Sequence, residues 1–324
     1  MSAPSQPLTY DQAVALATAM AARKTAPDPA GVVAGMAEKV IATRETTAAW
    51  AKNAIRRLWA SVNPYDAMAV QAFAAQAATI MESAQTAAGR LAAAAQAQQL
   101  AALGIAVAAV PSLPLDVRAP AAVIKRGQLV LHQAASSVDY ADAGPAVHVS
   151  KADMTTASIF QRPAAVYRYA KSIDAADPAA LAGQRIDDLV DGNLMLAQRL
   201  AQQQVLVQAG AKVTGYRRVI HPELSRTGTC GMCIVAADRI YKVDKLMPIH
   251  PPTCKCTIAP VTDEHDPGDD ANSIGLAQLY KDAGGNTVAH LKRTRYAIDE
   301  HGEFGPVLVP KSAYKPRKPR GRRK

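Results

Sequence analysis

All four cysteines of this 324-residue chain fall within 27 residues, as Cys230-Gly-Met-Cys233 and Cys254-Lys-Cys256, with 20 residues between the pairs. Two short chelating pairs brought together by a hairpin supply the convergent soft donors that a tetrahedral Zn²⁺ needs. His250, four residues before Cys254, is a fifth candidate. The two-residue spacing of the first pair lets both thiolates reach one ion from a single turn, whereas one intervening residue makes a tighter bite. Cys230, Cys233 and Cys254 therefore rank above Cys256 and His250, which compete for the last position. Disulfides are the alternative, but such close pairs would close very small rings. The opening Met-Ser-Ala-Pro-Ser-Gln-Pro is polar and lacks the apolar stretch of a secretory signal. The expected setting is a reducing cytoplasm, where clustered cysteines bind metal.

Only 5% of the chain is aromatic and 45 of its first 150 residues are alanine, so the core must be aliphatic and mostly helical. Residues 1–110 read as an Ala-rich helical domain. Helix formers run from Tyr10 to about Leu103, broken near Pro27 to Pro29 and at Asn63-Pro64. Met68, Phe73, Ile80, Ala84, Ala87, Leu91 and Ala95 predict a narrow apolar seam on the last of three segments. The uncharged run Leu91 to Leu115 is not read as a membrane span, because Gln96, Gln98, Gln99, Gly104, Pro111 and Pro114 interrupt it. Residues 111–150 form a mixed linker with short strands at Gln128 to His132 and Ala146 to Val149.

Residues 151–262 open as a second helical region, interrupted at Pro163 and at Asp177-Pro178. Its apolar face is Ile186, Leu189, Val190, Leu194, Leu196, Leu200 and Val205, and Gly210 closes it. The period then changes. Lys212 to Ile220, Ile234 to Ala237, Ile240 to Val243 and Cys256 to Val261 read as strands, with the cysteine pairs at their turns. The fold class is thus mainly α with a small α+β, zinc-stapled β-hairpin module, in which metal replaces a core that some 50 residues cannot build. A carboxy-terminal extension, residues 263–310, follows.

The formal charge of +10 is local. Lys311, Lys315, Arg317, Lys318, Arg320, Arg322, Arg323 and Lys324 carry eight positive charges in the last 14 residues, with no acid among them, so the other 310 residues carry only +2. Broken by Pro316 and Pro319, residues 311–324 are predicted to be a disordered tail that binds DNA non-specifically through phosphate neutralisation.

Arg217-Arg-Val-Ile-His-Pro-Glu-Leu-Ser225, Thr227-Gly-Thr-Cys-Gly-Met-Cys-Ile-Val-Ala-Ala-Asp-Arg-Ile-Tyr241 and Pro248-Ile-His-Pro-Pro-Thr-Cys-Lys-Cys256 resemble the Mu F-like head morphogenesis, or minor capsid, proteins of tailed phages, the actinobacteriophage kind in particular. The resemblance spans about Lys151 to Val261 and keeps the order Cys-x-x-Cys, Tyr, His, Cys-x-Cys. Its histidine lies one residue further from the last pair than in the common family pattern. Tyr296 to Leu308 is also similar to segments of these phage proteins. The resemblance implies a non-enzymatic internal virion protein, made in the host cytoplasm and placed at the portal vertex inside the capsid. Its implied partners are portal protein and capsid or scaffold proteins, and its implied role is procapsid assembly, DNA packaging or delivery.

The competing reading is a zinc-containing nucleic-acid-binding protein or endonuclease. Val243 to His250 superficially resembles the catalytic strand of His-Asn-His nucleases, but Lys245 stands where a general base would be needed. His221 and Glu223 could form a dyad, although a His-Pro-Glu turn is as easily structural. A zinc-finger reader lacks a recognition helix between the pairs. Arg217 and Arg218 are expected on a solvated strand face, and Tyr216 and Tyr241 in packing. Asp263 to Asp270 reads as an acidic loop without the alternation of a calcium site. His132, His148, His265, His290 and His301 share no ligand spacing.

Overall fold

Aspartates set the starts of the three long helices. In the computed structural model, Asp28 accepts from the backbone N–H groups of Ala30 and Gly31 and begins α1 (Pro29–Trp59). Asp66 accepts from Met68 and Ala69 and begins α2 (Ala67–Ala102). Further on, after two short helices, α3 (Thr156–Ile159) and α4 (Arg162–Ser172), Asp177 accepts from Ala180 and begins α5 (Pro178–Gln208). In α1 and α5 a proline follows the capping aspartate, where its missing N–H costs nothing and its fixed φ already suits a helix. Gly210, at φ 61°, closes α5 in the left-handed conformation that glycine adopts without penalty. The residues described are 28–108, 113, 115–118, 122–125, 128–131, 136–138, 147–149, 152–224, 231–245, 247, 255–282, 296–301 and 305–310.

The described residues are mainly helical, and α1, α2 and α5 pack on one another. One cluster joins Ile55, Phe73, Met81, Phe160, Ile186 and Leu189. A second joins Ala92, Leu100, Leu196, Leu200 and Val205 to the strands beyond. Each fully buried large side chain is worth about 1.5–3 kcal/mol of removed apolar surface. The predicted face of α5 is buried throughout. The seam predicted for α2 is only partly correct: Phe73, Ala84 and Ala95 are buried, while Met68 is 79% exposed and Ala87 is exposed. The error has a physical cause, because α2 lies against both α1 and α5 and buries a broad band that includes Ala77, Ala88 and Ala92 instead of a stripe. No described helix is long and apolar enough to cross a membrane.

Two antiparallel ladders, β1 (Ala122–Lys125) with β2 (Gln128–Leu131) and β3 (Ser136–Val138) with β4 (Val147–Val149), lie between the helical stretches. The strands expected there are therefore present and each has a partner.

Beyond α5 lie β5 (Gly215–Val219), α6 (Gly231–Ala237), β6 (Ile240–Tyr241), β7 (Thr257–Val261), α7 (Pro267–Asp282) and a hairpin of β8 (Tyr296–His301) with β9 (Gly305–Pro310). The sheet order is β6-β5-β7, all antiparallel, with β5 at the centre. Two expectations are corrected here. Ile234 to Ala237 lies in α6 and not in a strand, and the acidic segment is a loop only to Asp266, since Asp269 and Asp270 occupy the first turn of α7. Negative charge there suits the positive end of the helix dipole.

Candidate metal centre

Strand β5 is covered on both faces, and this decides the chemistry around it. Register pairs Tyr216 with Pro260, Arg218 with Ile258 and Val219 with Thr257. Alternation then puts Tyr216, Arg218 and Ile220 on one side together with Ile258 and Cys256. That side joins the main core, which also contains Cys233 from α6. The other side, with Arg217, Val219 and Ala259, meets α7, where a Cβ on Gly268 would stand 3.1 Å from those of Ala259 and Arg217. The module is therefore one wall of the helical core and does not need a metal in place of a core.

The arginines overturn the expectation of a solvated face, with Arg218 fully buried and Arg217 only 8% exposed. Arg218 donates to the Cys233 thiol sulfur at 3.7 Å, while Asn272 of α7 donates to the Arg218 carbonyl at 2.7 Å and accepts from the Ile220 N–H at 2.9 Å. Arg217 makes a bidentate pair with Asp266, its Nε donating to one carboxylate oxygen at 3.1 Å and a terminal nitrogen to the other at 2.6 Å. It also donates to the Ala237 carbonyl. Burial works against the Arg217 charge, but the Asp266 carboxylate outweighs it and holds the guanidinium pKa above its usual value.

Of the five candidate ligands, Cys233 and Cys256 are described. Both are buried and both border the same core. Cys230, Cys254 and His250 lie outside the described residues. Among the described residues no three His, Cys, Asp or Glu side chains converge. Each of the two placed sulfur groups has an arginine nearby: Arg218 against Cys233, and Arg44 and Arg199 around a hollow of about 10 Å³ that Cys256 borders.

The segment between the cysteine pairs is held by side chains of α5 and β5. Arg199 donates to the Met247 carbonyl at 2.8 Å, Gln203 donates to the Val243 carbonyl, and the Tyr216 hydroxyl donates to the Lys245 carbonyl at 2.5 Å. Tyr216 stacks on Tyr241 with centroids 5.4 Å apart, as the packing reading expects. Burial pushes the Tyr216 phenol pKa upward, so it stays a donor. Between the cysteines of the second pair, Lys255 reaches back to Glu45 of α1. Sequence reasoning missed Arg199, Gln203, Asp266 and Asn272. A possible signal was the density of amide and guanidinium groups, Gln198-Arg-Leu-Ala-Gln-Gln203, on an otherwise buried helix.

His221 is placed as a locked structural group. It is 3% exposed, with Nδ1 3.1 Å from Glu223 and Nε2 2.7 Å from the Thr257 hydroxyl, itself 1% exposed. Carboxylate, imidazole and hydroxyl stand in the order of a nucleophilic triad, but with the hydroxyl buried no substrate reaches it. The hydrogen bond from His221 holds the Glu223 carboxyl below its usual pKa, against burial. Lys245 is exposed. The tail cations, Lys311 through Lys324, lie outside the described residues. Comparison with protein families, with curated proteins and with solved structures gave no match.

Proposed function

We propose that this protein is a minor capsid, or head morphogenesis, protein of a tailed phage that sits at the portal vertex and acts in procapsid assembly, DNA packaging or delivery. The observation that carries the reading is the ordered series Cys230, Cys233, Tyr241, His250, Cys254 and Cys256, resembling the Mu F-like proteins. Its described members, Cys233, Tyr241 and Cys256, lie on and beside a single three-stranded sheet. Zinc, bound by Cys230, Cys233 and Cys254 with Cys256 or His250, would supply structural cross-linking there and no catalysis. The helical body offers shaped surfaces for portal, capsid or scaffold proteins, and the basic tail suits packaged DNA.

Cross-linking mass spectrometry on purified heads tests the reading. Links from α1, α2 or α5 to portal protein are expected, and a protein missing from the particles would refute it. The endonuclease alternative draws no support from His221, given its burial. Supercoiled plasmid incubated with the protein and Mg²⁺ or Mn²⁺ should remain uncut, and cleavage abolished by His221→Ala would reverse the choice.

A further inference from the structure

Between α1, α5 and the second cysteine pair lies a groove of about 300 Å³, where Ala48 and Ala49 are too small to fill the space among charged side chains. Its carboxylates are matched: Asp191 meets Lys52 at 2.7 Å, and Glu45 meets Lys255. Arg44 and Met195 belong both to this groove and to the wall of the smaller hollow of about 10 Å³ that Cys256 borders, so the two spaces adjoin.

The smaller hollow has a chemistry of its own. Two guanidinium groups, Arg44 and Arg199, and two carboxamides, Gln198 and Gln202, stand on its wall, and among the described residues no carboxylate does. Gln198, Arg199 and Gln202 are 3%, 4% and 2% exposed, so bulk water screens them little. The Gln198 carboxamide oxygen accepts from Arg44 at 3.0 Å. Gln202 makes no hydrogen bond among the described residues, and a buried carboxamide in that condition costs stability unless something in the hollow meets it. The space is about one water-sized sphere, enough for a single-atom ion and too little for phosphate or sulfate. A wall of guanidinium and carboxamide N–H donors suits a guest that only accepts, whereas a water must also donate.

From this arrangement we infer that the hollow between α1, α5 and Cys256 is a binding site for one small anion of halide size, with chloride as its occupant in solution. Arg44 of α1 and Arg199 and Gln202 of α5 hold the ion, which thereby fastens the two helices to each other. The approach is positive as well, since Arg44, Lys52 and Lys255 outnumber the two carboxylates of the outer groove. The inference rests neither on the head-protein reading nor on zinc.

The test follows denaturant unfolding of the full chain while sodium chloride replaces sodium gluconate at constant ionic strength, so that only the identity of the anion changes. Gluconate is too large for the hollow. Chloride at ten times its dissociation constant should lower the unfolding equilibrium constant about tenfold, and bromide should act in the same way. Gln202→Leu and Arg44→Met should each remove most of this response, whereas Arg57→Gln, which takes a cation from an exposed position of α1 outside the groove, should keep it. If those variants fail to fold, crystals of the parent soaked in bromide decide: an anomalous peak in hydrogen-bond reach of Arg44 and Arg199 is expected, and no peak there would overturn the inference. Equal midpoints of the parent in chloride and gluconate would overturn it, the hollow then holding water. A chloride response retained by Gln202→Leu and Arg44→Met would do the same, as would a response absent from the parent and gained in Cys256→Ser, because sulfur would then carry the balancing charge.

Discussion

Arg218 is the residue on which the region of the cysteines turns, because a guanidinium with no exposure must be held by groups that its loss would strand. Its donation to Cys233 and the closure of its backbone by Asn272 tie β5 to α6 and to α7. Arg218→Leu should lower stability by about 2–4 kcal/mol, seen as a lower denaturation midpoint. A change within about 0.5 kcal/mol would mean the guanidinium carries no structural weight. Glu223 makes a prediction in pH. Its folded-state pKa is lowered, so its contribution is present above the usual glutamate value and is lost as pH falls through the folded one. The melting temperature of Glu223→Gln should therefore lie below the parent's at neutral pH and converge with it in acid. The effect should stay below about 1 kcal/mol, because this carboxylate is 61% exposed. A gap that persists at low pH would contradict the assignment. The sequence misled about the arginines for a simple reason. Alternation along a strand reveals burial only when one face is wet, and helices cover both faces of β5.

At the scale of elements, caps and breakers were legible and short apolar runs were not. Asn63-Pro64, Asp177-Pro178 and Gly210 fall at helix ends because capping and φ restriction are local properties. Ile234-Val-Ala-Ala has a β-branched start, and four residues cannot show a period, so tertiary contact decides for a helix. The β6–β5 pairing depends on a close approach: a Cβ on Gly215 would lie 2.8 Å from the Tyr241 carbonyl oxygen and 2.5 Å from an Ile240 methyl carbon. Backbone cannot yield as a side-chain end does. Gly215→Ala should cost about 1–3 kcal/mol and increase amide exchange at Ile240 and Tyr241. Unchanged exchange would show that the sheet edge absorbs the added methyl.

Across the whole molecule, positive charge is concentrated at the carboxy-terminal end. Deleting Lys311 to Lys324 removes eight of ten net positive charges and should abolish most salt-sensitive duplex binding. Equal duplex affinity and salt slope after deletion would place the polyanion site on the folded body, although not at Arg217 or Arg218, which are buried. The packing also revises what metal removal should do. Because β5 and β7 share the core of α2 and α5, Cys230→Ser should loosen the module after α5 and leave the long helices standing, unlike a zinc finger that unfolds without its ion. The cysteine pairs were visible in the sequence from their spacing alone, whereas the Arg199, Gln203 and Tyr216 bonds that hold the segment between them join residues far apart in the chain. The most direct measurement is the zinc content of the full chain purified without added metal. About one zinc per molecule, lost in Cys233→Ser, is the expected result; zinc near zero with both cysteine pairs oxidised would contradict the account.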